Sequence, residues 1–489
     1  MKKLSLILLL CLTTSVLFSQ NQVLTRQNGG ASWQKAMGGG ANVRAVRTSN
    51  QTISSSINTT VTFSSEDYDV NNTFDPSTGI FTPPQAGYYV IKASVNWSNT
   101  NTTSGERRVR LCKNGTSSVV YQNSEDGSGS MHSSIHTVIY SDGMDNYRVV
   151  VWQNSGSSHD INGSPIAESA TTFTAFNLSP LNQEILKKKS GGVSWENQTS
   201  TCVKARLTTL TSIPSVGATI TYSTEDFDVN NSFNPSTGIF TPAEAGYYVI
   251  MASINWPSIS NTAMIQLRRN VWTRVEQHAE RGSGRTQSSL NTIIYSDGTD
   301  DYSIMAWQGT GGNSSISSAE ITIYKLLNPN EELMAKVDGG ASWKKSNSLV
   351  KAKRTSNMSI PSGTNTTITY SLEDFDLNSE FDPSTGVFTP SEAGYYKIMA
   401  TANWDIFNGN SGTREIRLVK RTGVSSTVLQ KTNSESGSGQ MVSSLHTVVY
   451  YDGSSGHSFY VEAFQNSGAS HDIGGSTAAP GCTFNVYRL

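Results

Sequence analysis

The sequence predicts an all-β protein built from three similar domains in tandem. Residues 63–89 recur almost unchanged at residues 222–248 and 370–396, so one unit is present three times. The copies lie 159 and 148 residues apart, whereas a solenoid repeat takes ~20–50 residues, so each copy should contain its own hydrophobic core. Thr, Val, Tyr and Phe recur in short alternating runs between glycine- and serine-rich segments, which is typical of β-sheet proteins.

Within each copy a tight turn precedes a long strand. The sequence Asp-Pro-Ser-Thr-Gly at residues 75–79 predicts a turn, because proline presets φ and glycine accepts a positive φ. Residues 87–97 then alternate between apolar and polar side chains, which predicts a strand with one buried and one solvated face. Residues 250–256 and 398–404 repeat this alternation, so each copy predicts a core strand of a β-sandwich.

Six spaced residues in each copy resemble the signature of the complement C1q globular-head domain. They are Phe63, Asp69, Phe74, Phe81, Gly87 and Tyr89 in the first copy, Tyr222, Asp228, Phe233, Phe240, Gly246 and Tyr248 in the second, and Tyr370, Asp376, Phe381, Phe388, Gly394 and Tyr396 in the third. Residues 109–115, 141–143 and 172–178 resemble the family's mid-domain strand, turn and closing strand. Ile91 and Ala93 depart from the family, which usually has aromatic residues there, and the chain lacks a collagen-like Gly-X-Y run.

The resemblance implies a ten-stranded jelly roll related to tumour necrosis factor, usually trimeric, secreted and used for binding. We expect C1q-like domains at residues 21–180, 181–328 and 329–489. Because one such domain normally associates with two others, three in one chain predict an intramolecular pseudo-trimer. The connecting segments of 24 and 23 residues can reach ~75 Å when extended, which is enough to pass between adjacent domains. Three domains on a string, or a homotrimer of whole chains, are the alternatives.

Residues 1–20 are typical of a signal peptide. Lys2 and Lys3 precede an apolar run over residues 4–12, which is too short to span a bilayer. Attachment to lipid through Cys11 is an alternative, although the large Leu10 disfavours it. No other stretch is apolar enough to cross a membrane, so we expect a secreted or cell-surface, extracytoplasmic protein.

The composition argues against binding to nucleic acid or anionic membranes and against a disulfide framework. A net charge of −2 with only 15% charged residues gives no electrostatic reason to bind nucleic acid or an anionic membrane surface. Cleavage of the signal peptide would leave Cys112, Cys202 and Cys482, and none recurs at its equivalent position in the other copies. We therefore predict three buried free thiols rather than a disulfide framework, with a cross-link between copies as the alternative.

A second motif, Gly-Gly-x-Ser-Trp, opens each copy and ends at Trp33, Trp195 and Trp343. Because the motif also precedes the first copy, it belongs to the domain and is not only a linker. We predict a Gly-Gly turn that places the tryptophan on the edge of the sandwich.

No catalytic motif is present, and the chain is predicted not to be an enzyme. The pairs His159-Asp160 and His471-Asp472 most resemble catalytic residues, yet glycine-rich loops favour such residues for turn formation alone. The second copy has Ser314 and Ser315 in this region, which further disfavours catalysis. We predict instead that His159, Asp160, His471 and Asp472 lie in long polar loops that form a variable, ligand-facing rim.

Three glutamates recur at an equal step of 155 residues: Glu125, Glu280 and Glu435. They precede Gly-Ser-Gly, so a capped turn explains them, while convergence on a shared cation such as calcium is the alternative hypothesis. The acidic run at residues 66–72 does not have the spacing of a calcium loop. No cofactor is expected apart from this possible calcium ion.

Two classes of function remain. The first is an exported, non-enzymatic recognition or adhesion protein that binds extracellular glycans, proteins or surface polymers through jelly-roll loops. The second is a polysaccharide-processing enzyme or an accessory carbohydrate-binding component, because jelly rolls also support such activities. A hydrolase needs a carboxylate pair facing one cleft, and no such pair is evident in the sequence, so the binding function is favoured.

Overall fold

The computed structural model describes residues 22–27, 30–35, 42–98, 103–127, 131–163, 171–180, 184–189, 192–197, 201–259, 261–270, 273–281, 284–309, 313–326, 332–337, 340–345, 348–405, 412–432, 441–474 and 481–489. Regular structure in these ranges consists of β-strands. The predicted signal peptide, residues 1–20, lies outside the described residues.

The strands fall into three sets, called here the first, second and third units. The first unit contains β1 (Gln22–Gln27), β2 (Gly30–Lys35), β3 (Asn42–Val46), β4 (Gln51–Ile53), β5 (Thr59–Thr60), β6 (Ser65–Asp69), β7 (Phe74–Asp75), β8 (Ile80–Phe81), β9 (Ala86–Trp97), β10 (Gly105–Lys113), β11 (Val119–Gly127), β12 (Met131–Asp142), β13 (Tyr147–Gln153), β14 (His159–Ile161) and β15 (Thr172–Pro180).

The second unit contains β16 (Glu184–Lys189), β17 (Gly192–Asn197), β18 (Cys202–Leu207), β19 (Thr211–Ile213), β20 (Ala218–Thr219), β21 (Thr224–Asp228), β22 (Phe233–Asn234), β23 (Ile239–Phe240), β24 (Gly246–Ile259), β25 (Thr262–Arg269), β26 (Thr273–Arg281), β27 (Gly284–Ser296), β28 (Tyr302–Gln308), β29 (Ser314–Ile316) and β30 (Ser318–Lys325).

The third unit contains β31 (Glu332–Val337), β32 (Gly340–Lys345), β33 (Leu349–Arg354), β34 (Met358–Ile360), β35 (Thr366–Thr367), β36 (Leu372–Asp376), β37 (Phe381–Asp382), β38 (Val387–Phe388), β39 (Gly394–Trp404), β40 (Arg414–Thr422), β41 (Ser425–Lys431), β42 (Met441–Tyr451), β43 (His457–Gln465), β44 (His471–Ile473) and β45 (Cys482–Arg488).

Each unit is a sandwich of two antiparallel sheets. In the first unit one sheet has the order β4-β14-β9-β15-β3-β6, with β12 paired to β9, and the other has the order β11-β10-β13-β8-β7, with β5 paired to β13. The third unit has the same two sheets. The second unit differs only in that β19 and β29 form a separate two-stranded sheet. The predicted all-β jelly-roll fold is therefore confirmed.

The alternation in β9 builds the core of the first sandwich. Ile91, Ala93 and Val95 point into a cluster of buried apolar residues, and Trp97 completes this face of the strand. The Trp97 indole Nε1 donates to Ser133 Oγ at 3.2 Å, so the buried indole keeps a hydrogen-bond partner. The corresponding tryptophans of the other units make the same bond, Trp256 to Ser288 and Trp404 to Ser443.

The opposite face of β9 differs from the prediction. Lys92, Ser94 and Asn96 were expected to be solvated, but all three are buried. The physical reason is that this face packs against the other units. Alternation shows that a strand has two different faces, but it does not show what covers the polar one.

A fourth apolar cluster joins the three units. Its buried members are Val90, Val138, Phe176 and Leu178 of the first unit, Cys202, Val249, Met251, Ile293, Tyr324 and Leu326 of the second, and Leu349, Met399, Val448 and Tyr487 of the third. The three sandwiches therefore share an apolar region in addition to their own cores.

The Gly-Gly-x-Ser-Trp motifs form β-hairpins in a separate sheet and do not lie on a sandwich edge, as the sequence had suggested. The hairpins are β1–β2, β16–β17 and β31–β32. Their first strands also pair with one another in all three combinations, β1 with β16, β1 with β31 and β16 with β31. This six-stranded sheet, the hairpin cap, connects all three units through main-chain pairing.

Two further predictions are confirmed. Gly79 has a φ of +66° in the predicted turn, and a β-carbon there would lie 2.0 Å from the Val61 carbonyl oxygen, so only glycine fits. Cys112, Cys202 and Cys482 are free and buried. The predicted domain boundaries stay predictions.

Candidate functional site

The seams between the units are marked by the same aromatic contact three times. Tyr88 of the first unit packs on Phe227 of the second with ring centroids 4.9 Å apart. Tyr247 of the second unit packs on Phe375 of the third at 4.9 Å. Tyr68 of the first unit packs on Tyr395 of the third, also at 4.9 Å. The contacts therefore run from the first unit to the second, from the second to the third, and from the third back to the first.

A second tyrosine extends each aromatic contact toward solvent. Tyr140 lies 5.5 Å from Tyr88, and Tyr295 lies 5.1 Å from Tyr247, measured between ring centroids. Tyr140 and Tyr295 are 42% and 50% exposed. In the third unit Tyr450 lies 5.0 Å from Tyr395. Each seam thus carries a short aromatic row that extends outward from the half-buried contact.

A basic residue on the opening strand of each sandwich crosses a seam. Lys204 Nζ of the second unit donates to Thr137 Oγ1 of the first at 2.7 Å. Lys351 Nζ of the third unit donates to Thr292 Oγ1 of the second at 2.8 Å. Arg44 of the first unit donates through Nη2 to the Leu429 carbonyl of the third at 2.7 Å. These bonds satisfy buried polar groups and connect the units in the same cyclic order.

Lys204 also neutralises a buried carboxylate. Its Nζ lies 3.6 Å from Glu320 Oε2, and Thr137 Oγ1 donates to Glu320 Oε1 at 2.6 Å. Burial raises the pKa of Glu320, while Lys204 and Thr137 act in the opposite direction. The charge of Glu320 therefore depends on a cation held at the seam.

A set of basic side chains, called here the axial basic cluster, lies where the three inward faces meet. It consists of Lys92 and His136 of the first unit and Lys397 and His446 of the third, beside Asn291 of the second. The rings of His136 and His446 lie 4.3 Å apart between centroids. Asn291 Nδ2 lies 3.5 Å from His446 Nε2.

The first predicted ligand-binding pair lies in a strand, whereas the sequence had suggested a loop. His159 and Asp160 belong to β14, in which His159 pairs with Ile53 of β4. His159 is 1% exposed, and its Nε2 lies 3.4 Å from Thr103 Oγ1. Burial lowers the pKa of the His159 imidazole. Asp160 accepts from Thr52 Oγ1 at 2.7 Å, so both side chains have structural contacts.

The second pair has the same position in the third unit. His471 and Asp472 belong to β44 and are half-buried. Asp472 Oδ2 accepts from Asn357 Nδ2 at 3.3 Å, and burial lowers the pKa of His471. The polar turns before these strands, residues 154–158 and 466–470, include exposed residues. The ligand-binding role of the two pairs stays a prediction.

The three recurrent glutamates are only partly described. Glu125 lies in β11 opposite Arg107 of β10, is buried, and accepts from Asn123 Nδ2 at 3.0 Å. Glu280 lies in β26 opposite Ala263, and its side chain is not among the described groups. Glu435 lies outside the described residues. In the described part of the chain, no group of three or more His, Cys, Asp or Glu side chains is arranged to hold a metal ion. The shared-cation hypothesis stays a prediction.

Two aspartates in the acidic run at residues 66–72 make structural contacts. Asp69 Oδ2 accepts from the Phe74 backbone N–H at 2.8 Å, and Asp228 and Asp376 make the equivalent bond in the other units. Asp67 forms an ion pair with Arg44. These contacts give Asp67 and Asp69 structural roles.

The seam residues were not identified from the sequence. One signal was available in the sequence. Lys92 stands where the other copies have methionine, and Lys397 stands where they have valine. The repeated Tyr-Tyr dipeptide was a second signal, since adjacent residues in a strand point to opposite faces and only one of the two can enter the core.

The geometry defines jelly-roll sandwiches that present loops from a rigid scaffold. Comparison with protein families is more specific: residues 44–176, within the first unit, match the family model described as the C1q domain. C1q domains are typically non-enzymatic ligand-binding modules of extracellular proteins and form trimers. No curated protein matches the chain.

Three solved structures are similar to parts or most of the chain. The globular domain of zebrafish complement 1qA protein has 19% identity and a TM-score of 0.22, covering 30% of this chain and 98% of that one. The Eiger TNF structure from S. frugiperda has 13% identity and a TM-score of 0.22, covering 26% and 94%. The triple jelly roll fold and turret assembly of an archaeal virus has 10% identity and a TM-score of 0.18, covering 91% and 90%. Separately, the described residues include no helix that could cross a membrane.

Proposed function

We propose that this protein is an exported, non-enzymatic recognition protein in which one chain supplies all three C1q-like domains of a pseudo-trimer. The observation that carries the proposal is the cyclic set of aromatic contacts, Tyr88 with Phe227, Tyr247 with Phe375, and Tyr395 with Tyr68. A string of independent domains would not place equivalent residues in contact at all three seams, including the seam between the first and third units.

Tethering favours closure within one chain. Linked domains meet at an effective concentration of roughly millimolar, so association inside the chain exceeds association between dilute chains. Only residues 181–183 separate β15 from β16, and residues 326–331 separate β30 from β31. The second and third hairpins of the cap are therefore close in sequence to the sandwich that precedes them.

The proposed ligands are extracellular glycans, proteins or surface polymers, bound at polar loops of the units. The polar turns at residues 154–158 and 466–470 are candidates because they are exposed and precede equivalent strands. Loops on a rigid scaffold are frequent binding positions. Equivalent turns in fixed geometry would suit a repetitive ligand, because simultaneous contacts increase avidity.

Two measurements test the proposal on the mature chain, residues 21–489. Light scattering should give the mass of one chain, and small-angle scattering should show a compact particle. An elongated monomer or a particle of three chains contradicts the pseudo-trimer. A glycan, protein and polymer array should then identify a ligand whose binding falls when the turn at residues 154–158 is replaced. Reproducible turnover of a bound glycan would contradict the non-enzymatic assignment.

A further inference from the structure

Two positions on the inward faces carry lysine in one unit and an apolar residue in the other two. Lys92 of β9 corresponds to Met251 and Met399, and both methionines belong to the apolar cluster shared by the units. Methionine therefore fits this position twice in the same molecule. A lysine is not required there for packing.

The second position has the same asymmetry in a different unit. Lys397 of β39 corresponds to Val90 and Val249, which are also members of the shared apolar cluster. The first unit therefore contributes one inward lysine and the third unit another. Both lysines enter a region that the equivalent residues make apolar.

Neither lysine has a carboxylate to balance its charge. Lys92 is 3% exposed and Lys397 is 2% exposed. The Nζ atom of neither lysine forms an ion pair or a hydrogen bond with any residue that the structure describes. Lys397 Nζ lies 5.7 Å over the ring of Phe176, which is its one cation–π contact among the described groups. A buried ammonium without a counter-charge is costly, so it either loses its proton or acquires an anion.

The histidines add hydrogen-bonding nitrogens to the same region. His136 of β12 lies opposite Lys92 of β9 in the sheet register. Its ring contacts that of His446 from the third unit. His446 Nδ1 is buried and has no hydrogen-bond partner in the described part of the chain. Two lysines, two histidines and the Asn291 amide thus surround the junction of all three units.

The nearby carboxylates are engaged elsewhere. Glu320 contacts Lys204 and Thr137 at the seam between the first and second units. Glu276 Oε1 lies 3.0 Å from His278 Nε2. The other charged or titratable groups that act on the cluster are Arg44, His132 and His278, all of them basic. The local balance is therefore an excess of basic groups.

A small cavity adjoins this cluster between the first and second units. It has a volume of about 10 Å³, and its lining includes His136 and Asn291 of the cluster together with Ser134, Ser289 and Tyr121. Lys92, Lys397 and His446 do not line the cavity itself. A cavity of ~10–15 Å³ holds about one water molecule, so there is room for one monoatomic ion or one water. Glu320 also lines the cavity, but its carboxylate has the partners described above.

We propose that the axial basic cluster is a binding site for one small inorganic anion of halide size, with His136, His446 and Asn291 as hydrogen-bond donors and Lys92 and Lys397 as the balancing charges. The anion is a ligand of the packed units and is distinct from any extracellular ligand bound at the loops. Its role is to allow the lysines to remain protonated in an otherwise apolar junction.

The affinity of the cluster for the anion should depend on pH, because its basic groups are buried. Burial lowers the pKa of Lys397 to about 7 and the pKa of Lys92 well below its ordinary value. Burial also lowers the pKa values of His136 and His446. An anion binds best to the protonated cluster. The affinity of the cluster for the anion should therefore increase as the pH falls and the lysines and histidines take up protons.

The test compares thermal unfolding of the mature chain in sodium chloride and in sodium gluconate at equal ionic strength. Gluconate is too large for the cavity and serves as the reference anion. We expect chloride to raise the unfolding midpoint by about 2–4 °C, with a larger shift at lower pH. Equal midpoints in the two salts at every pH would overturn the proposal.

Matched variants test whether the chloride-specific shift in the unfolding midpoint arises at the axial basic cluster. Lys92→Met and Lys397→Val introduce the residues that the other units carry at these positions, so they should fold. The double variant should lose the chloride-specific shift, whereas Lys113→Met, at an exposed lysine paired with Asp145, should keep it. A shift that persists in the double variant would show that chloride acts elsewhere.

Crystallography with bromide gives an independent answer on the unmodified chain. We expect one anomalous peak beside His136, His446 and Asn291. A data set that shows bromide at surface positions but none at this junction would overturn the assignment, even if chloride stabilises the protein.

Discussion

Tyr88 and Tyr89 are adjacent in β9, yet they serve different interfaces. Tyr89 is fully buried in the core of the first sandwich, and its hydroxyl donates to the Gln85 carbonyl at 2.8 Å. Tyr88 points to the opposite face and contacts Phe227 of the second unit. The second tyrosine of the Gly-Tyr-Tyr motif therefore packs in the core of its own sandwich, and the first packs at the seam. The motif recurs because every unit has a core and a seam.

The aromatic seam can be weakened at one position. Phe227→Ala removes the ring that packs on Tyr88, and we expect a loss of about 2 kcal/mol of stability, below the ~3–5 kcal/mol typical of a fully buried phenylalanine because this ring is only half-buried. Urea unfolding monitored by tryptophan fluorescence measures the change. Phe227→Tyr is the matched control, because Tyr68 occupies the equivalent position. If alanine were as stable as tyrosine, the contact would not contribute to the seam.

Lys204 should be essential at neutral pH and less so in acid. Lys204→Met leaves Glu320 buried without its cation, which should cost ~3–5 kcal/mol. Because burial raises the pKa of Glu320, lowering the pH should protonate it and reduce the loss. The measurement is urea unfolding of the unmodified chain and of the Lys204→Met variant, from neutral pH into the acidic range.

A second substitution provides the control for Lys204. The double variant Lys204→Met with Glu320→Thr removes the unpaired acid and introduces the residue found at Thr172 and Thr483. We expect it to recover most of the stability and to lose the extra pH dependence. A pH-independent loss in the single variant would mean that packing, and not charge, explains the effect.

In a halide-free buffer, the axial lysines should make stability increase with pH. Burial lowers the pKa of Lys397 from 10.5 to about 7, so above pH 7 the folded state binds fewer protons than the unfolded state. Stability should therefore rise between the folded and unfolded pKa values, by at most ~1.4 kcal/mol per pH unit for this one group. Lys397→Val should flatten the rise. An unchanged slope in the variant would show that Lys397 does not titrate in this range.

The three thiols should be unreactive in the folded protein. Burial raises the pKa of Cys482 to about 12 and also raises the pKa values of Cys112 and Cys202, so little thiolate is present at neutral pH. Titration with a thiol reagent should find no fast-reacting group in the native mature chain and all three in urea. Rapid labelling without denaturant would contradict the buried positions.

The shared-cation hypothesis has a direct test. If Glu125, Glu280 and Glu435 converge on calcium, added calcium should raise the unfolding midpoint, and Glu125→Gln should reduce the increase. Magnesium is the control, because it binds less readily to sites built from protein oxygens alone. If calcium raises the midpoint no more than magnesium does, the shared-cation hypothesis is wrong.

Local features were predictable from the sequence, and long-range burial was not. The turn at residues 75–79 and the inward alternation of Ile91, Ala93 and Val95 depend on neighbouring residues, so spacing alone predicted them. Lys92 was assigned to solvent because nothing within its own strand indicates that another unit covers it. Its surroundings come from residues far away in the sequence, including Lys397.

The predicted loop position of the two His-Asp pairs was wrong for a related reason. Glycine and serine around His159 suggested an open loop, but a short strand pairs with β4 and buries the imidazole. Turn-forming composition identifies where a chain changes direction, and it does not fix where the next strand begins. The exposed part of this segment is the preceding turn, residues 154–158.

The hairpin cap has a consequence for a chain that has been cut. Half of β1 pairs with β31 and the other half pairs with β16, while β16 and β31 also pair directly. Proteolysis at residues 181–183 would therefore sever the covalent link between the first and second units without separating them. The fragments would stay together as a nicked particle until the cap strands and the seams were unfolded, so limited digestion there would not release either unit.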